Sequence, residues 1–365
     1  YDSQADVYAE VVRLANESIL NFSRTDGTGT PAKMVGFDLA YNGDASKWIK
    51  FNYGVLARNA NNLINKASYD PAKVIEYVDK SLASNADNFI VPNQGTTAAN
   101  ANFFGPLRQN MQNYRQTRIM AGLLDGTYFT GTAGTVIDPR RSSMLTASPD
   151  GVFRGTNPGS GDPGTVAAQN QIPNLWGLYA GANPGPGQGK YLFRDNAGFP
   201  IMTYAELQFI KAEAAFRAGN TGLALTAYQN GISASIDFVS ALGTVITPAA
   251  KTAYMTSASV KQTAATLTLS DIMLQKYLAL YGYGFIETWS DLRKYNYNVG
   301  DTKGNNPYFP AFVFPPTFSA DNAGKPAQRH RPRFNSEYIW NVAAIRAIGA
   351  DKDDYHTKKM WFTEP

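Results

Sequence analysis

The chain of 365 residues has no cysteine. That excludes disulfides and thiolate-ligated metals, and it leaves the redox compartment unreadable from the sequence. Histidine is nearly absent as well. His330 and His356 are the only two, and neither has a second ligand at helical spacing, so neither a metal site nor a bound cofactor is expected. Charge is sparse, with 17% Asp, Glu, Lys and Arg and a formal net charge of +4. The one dense basic run, Arg329-His-Arg-Pro-Arg333, lacks flanking phosphate-tracking charges and reads as a solvated or ion-paired loop, not a nucleic-acid surface. No apolar run approaches the roughly 18 residues of a membrane span. No signal peptide is present, and a chain opening on Tyr1 reads as processed or truncated.

The motifs of catalysis are also missing. Gly185-Pro-Gly-Gln-Gly-Lys190 imitates a phosphate loop, but Pro184 stands where its first glycine belongs and Tyr191 where a magnesium-binding hydroxyl belongs. No Gly-x-Ser-x-Gly elbow occurs, although sequence alone does not exclude a Ser-His-Asp triad. Paired carboxylates would support glycoside hydrolysis. Glu206 and Glu213, however, sit on a scaffold helix, and Glu287 and Asp291, one turn apart beside Arg293 and Lys294, read as an ion-paired surface. The expectation is a protein that is not an enzyme.

What the sequence does contain is a helical hairpin over 202–238. Thr203 can cap its first helix, with the Glu206 carboxylate reaching back to the cap amide and Met202 stapled to Leu207. Gly219 supplies the positive φ that ends the helix. Ala212, Gly219, Ala224, Tyr228 and Gly231 fall in the register of a tetratricopeptide repeat, whose small residues let helices approach closely. Apolar periodicity predicts further helices over 3–21, with Ser3 as cap, over 44–66, and from Pro71 with Asp70 as cap. Others are expected over 106–124, 270–283 and around 289–292. The fold class is therefore mainly α, with tetratricopeptide-like hairpins as scaffold in a single domain, 1–365.

Residues 93–200 break this pattern. They hold 17 of the 32 glycines, so most of the stretch is expected to be a loop-rich excursion, and long loops in a compact protein usually carry function. A sugar offers an apolar ring face with a rim of hydroxyls, whose complement is an exposed aromatic ring beside amides or carboxylates. Trp176 and Tyr179 with Asn174, and Tyr191 with Asp195, fit that description and are the candidate ligand-binding residues. The alternative is that these rings form the cores of their own loops.

The segment Tyr204-Ala-Glu206 with Lys211-Ala-Glu-Ala214 resembles the SusD/RagB family of outer-membrane lipoproteins. So do Asn102-Phe-Phe-Gly-Pro-Leu-Arg108, Asp138-Pro139-Arg140, Gln275-Lys276-Tyr277, Trp289-Ser-Asp-Leu-Arg293 and Lys359-Met360-Trp361-Phe362, in order along the whole chain. The resemblance implies an outward-facing protein of the cell outer membrane. Such a protein captures a glycan and delivers it to a SusC-like TonB-dependent transporter. It also implies a lipid anchor and a further helix pair ahead of Tyr1, so that the first helix would show an unpartnered apolar stripe at Val7, Val11 and Leu14. Two other readings stand beside it: a peptide-capturing member of the same family, and a soluble tetratricopeptide adaptor.

Overall fold

The computed structural model describes residues 1–27, 31–157, 167–179, 182, 184–185 and 187–365. Much of the glycine-rich run 156–164, together with Asn183 and Pro186 of the second run, lies outside them.

Helix formation follows the caps. The Ser3 hydroxyl accepts the Asp6 amide at 3.1 Å and opens α1 (Gln4–Phe22). Asp44 caps α2 (Ala45–Asn61), and Asp70 with Pro71 at the first position opens α3 (Pro71–Asp79). A short strand, β1 (Phe89–Val91), follows, then α4 (Arg118–Leu124). β2 (Phe199–Met202) pairs antiparallel with β1, Phe89 opposite Met202, and delivers the chain to the Thr203 cap of α5 (Tyr204–Arg217). Next come α6 (Thr221–Leu242), α7 (Pro248–Met255), α8 (Leu269–Ala279), α9 (Phe285–Lys294) and α10 (Val342–Ala347).

Stacking runs from α1 onto α2, α2 onto α3, α3 onto α5 and α5 onto α6, with α8 laid across α5 and α6. The hairpin α5–α6 is the centre. Ala212, Ala224 and Tyr228 are all fully buried. A Cβ on Gly231 would stand 2.8 Å from the Phe209 ring, so the small residue is what permits this helix crossing. Gly219 has φ +78° where the chain reverses. Met202 and Leu207 are both sealed in an apolar cluster with Val74, Val78 and Ile210, the staple expected from sequence.

Several expectations change. Glu206 does not reach back to its cap. Its carboxylate takes a two-pronged bond from Arg58 on α2, at 2.8 Å on each oxygen, because a buried carboxylate gains more from a planar cation than from one amide. Residues 106–124 do not form one helix: a single turn at Pro106–Arg108 stops at Gln109 (φ +53°), and α4 starts only after the Thr117 cap. Glu287 and Asp291 are not a surface pair. Asp291 is buried against Lys276 (2.7 Å) and Lys294 (2.9 Å), and Glu287 meets Arg58 at 3.4 Å. On α1, Val7 and Leu14 are about half exposed while Ala15 is buried.

Candidate functional site

Four separated segments of sequence meet in one buried cluster of charged and polar groups. Glu213 of α5 accepts from Lys294 (3.2 Å), Asn61 (2.7 Å) and the Tyr295 hydroxyl (2.5 Å). Lys294 also reaches Asp291, which pairs with Lys276 of α8. Burial alone would raise the Glu213 pKa, but the Lys294 and Lys276 ammonium groups outweigh it and hold the carboxyl down at about 2. A second cluster joins Asp138, Arg140, Ser235 and Gln275, with Arg140 fully buried. These pairs pin α8 and α9 to the hairpin. An ion stripped of its partner here would be stranded without water.

The outward side of α8 and α9 is aromatic. Tyr277 and Tyr281 stand one turn apart, and Phe285, Thr288, Trp289 and Leu292 follow at i, i+3, i+4 and i+7 along one face of α9. With the loop at 103–114 they line a groove of about 820 Å³ in which eight of fifteen lining residues are aromatic. Phe103, Tyr114 and Phe285 are each more than half exposed, so the rings face solvent. The rings of Phe104 and Phe285 meet edge-on at 6.2 Å, joining loop to helix. Trp289 is held from behind. Its Nε1 donates to the Tyr297 hydroxyl at 2.8 Å, and the Arg293 guanidinium lies 3.8 Å from the ring centroid.

Polar groups in the groove are few and mostly free. The hydroxyls of Tyr114, Tyr277, Tyr281 and Thr288 make no hydrogen bond among the described residues, while Asn110 donates to the Phe103 carbonyl at 3.0 Å. Burial pushes the Tyr277 phenol up to about 12 and raises that of Tyr281, so both stay protonated donors at neutral pH.

The residues proposed from sequence lie elsewhere, and for four of them the expected exposure is corrected. Trp176 is only 2% exposed, and its Nε1 donates to the Phe104 carbonyl at 2.7 Å. Asn174 is buried and accepts from the amides of Trp176 and Leu178, both at 3.0 Å. Buried Asp195 accepts from the Leu107 amide at 2.8 Å. Tyr191 is sealed against Tyr281, its ring parallel at 6.3 Å. Tyr179 is half-buried, its hydroxyl donating to the Ala147 carbonyl at 2.9 Å. Trp176, Asn174, Asp195 and Tyr179 thus satisfy loop backbone that would otherwise be buried without partners, while Tyr191 is held by ring packing. Trp176 and Asp195 thereby latch the very loop that presents Phe103 and Phe104.

The groove rings that sequence reasoning missed carried a signal. An aromatic pair at i, i+4 on α9, in a helix whose opposite face holds Asp291 and Lys294, marks two faces with different tasks. Among the described residues no group of acidic or histidine side chains could hold a metal ion, and no helix is long and apolar enough to cross a membrane.

Residues 1–307 match the family model of SusD-like proteins, described as starch-binding and associating with outer membrane. Solved structures agree in fold. A SusD/RagB family protein from Bacteroides thetaiotaomicron is 23% identical, with a TM-score of 0.68 over 99% of this chain and 73% of its own. A chitin-binding protein is 23% identical with a TM-score of 0.69, covering 100% and 74% of the two chains. A chitin-binding SusD homologue from Flavobacterium johnsoniae is 18% identical with a TM-score of 0.66, covering 100% and 73%. No match was found among curated protein sequences.

Proposed function

Because the chain belongs to the SusD-like family, starch-binding proteins that associate with the outer membrane, we propose that it captures a glycan in the aromatic groove at the cell surface. It hands the glycan on to a TonB-dependent transporter and performs no catalysis of its own. The observation that carries this reading is the groove itself: solvent-facing rings on two rigid helices and one latched loop, with unpaired hydroxyls between them. Ring faces take up the apolar face of a pyranose. The hydroxyls between the rings both donate and accept, as the hydroxyl rim of a sugar does, and the groove shows exposed ring faces where a peptide site would use backbone-pairing edges and small pockets. Two of the solved structures with this fold are named as chitin-binding, which makes chito-oligosaccharides the first ligands to try.

Calorimetric titration with a panel of neutral oligosaccharides tests the proposal. At least one should bind, and Phe103→Ala should weaken it by about tenfold, the scale of one lost stacking contact of about 1–2 kcal/mol. A panel that binds nowhere, or binds Phe103→Ala and Phe285→Ala as well as the wild type, would overturn it.

A further inference from the structure

Resting on that reading, we infer that the groove is selective for uncharged saccharides and turns away sugars that carry a carboxylate, sulfate or ammonium group. None of its fifteen lining residues is Asp, Glu, Lys, Arg or His. The charges on the adjoining helix are all committed elsewhere. Asp291 and Lys294 close on Lys276 and Glu213 in the interior. Glu287, next in sequence to Thr288, turns to Arg58. Arg293 stacks on Trp289 and donates to the Gln328 carbonyl, the Ser290 hydroxyl and the Trp289 carbonyl. A charged sugar entering the groove would lose hydration and find no counter-ion among its lining residues, while a neutral one exchanges water for aromatic faces and hydroxyl partners. Burial holds the Tyr277 and Tyr281 phenols above their ordinary value, so these two stay neutral across the physiological range.

The test uses ligand pairs that differ in charge on a shared backbone, titrated into the wild-type protein. One pair is N-acetylated chitohexaose and its de-N-acetylated form, measured with the amines protonated and again with them neutral. The other is a methyl-esterified oligogalacturonate and its free acid. The inference expects each charged form to bind at least roughly tenfold more weakly than its neutral counterpart. It also expects the de-N-acetylated oligomer to regain affinity as its amines lose their protons, with chitohexaose constant between the two conditions. Charged forms binding within roughly threefold of the neutral ones would overturn the selectivity and leave glycan capture standing. Binding of no neutral oligomer would overturn both.

Discussion

Trp176 lies in an irregular loop and Trp289 on helix α9, and the two are placed in opposite ways. Trp176 is sealed, its indole spent on the Phe104 carbonyl. Trp289 lines the open groove and is braced from behind by Arg293 and Tyr297. The difference lies in the backing. Trp176 is drawn inward because its indole satisfies a loop carbonyl that would otherwise be buried without a partner. A ring on a helix already anchored by its other face can be left in water. In this protein the buried rings of Trp176 and Tyr191 pack behind the groove, and its lining comes from α8 and α9 together with Phe103, Phe104 and Tyr114 of the neighbouring loop.

That contrast breaks most severely where the backing is removed. Lys294→Met takes from the buried Glu213 carboxylate its directly paired cation, leaves Asp291 with Lys276 alone, and should cost about 3–5 kcal/mol of stability, read by denaturant unfolding. Trp176→Ala should cost a comparable amount, about 3–5 kcal/mol, and should loosen the 103–107 loop as well. Both variants lose affinity only as a consequence of lost structure.

Acid sharpens the same point. Glu213 sits at about 2 in the folded protein, below the ordinary value of about 4.3. Its contribution is therefore whole above that ordinary value and is lost as the pH falls from there towards about 2. Glu213→Gln, already destabilised at neutral pH, should show a shallower acid dependence over that window in thermal melts.

Smaller still is the effect of Phe285→Ala. It should weaken ligand by about tenfold and leave stability within about 0.5 kcal/mol, as expected at an exposed position.

The scaffold was legible because its signals are local and periodic. Ser3, Asp44, Asp70 and Thr203 cap helices, and the small-residue register of α5–α6 places Ala212, Ala224 and Gly231 at a close crossing. The roles of charged residues were not legible. Arg58 and Glu206 lie 148 positions apart, and nothing local distinguishes a capping glutamate from one that pairs across the core. Of the candidate residues read from sequence, Trp176, Asn174, Tyr191 and Asp195 prove buried, and the exposed rings lie in the proposed groove. Exposure depends on what packs behind a ring. Trp176 and Tyr191 carry no mark of that in their immediate neighbours. Phe285 and Trp289 did, through their shared helix face.

The contrast between the two tryptophans is tested most directly by the indole N–H resonances of the protein's five tryptophans, assigned by single Trp→Phe variants and followed during titration with the tightest-binding neutral oligosaccharide. The account predicts that the Trp289 resonance shifts in proportion to occupancy while that of Trp176, locked on the Phe104 carbonyl, stays in place. A ligand-dependent shift of Trp176 with Trp289 unmoved would contradict it and return the binding surface to the loop.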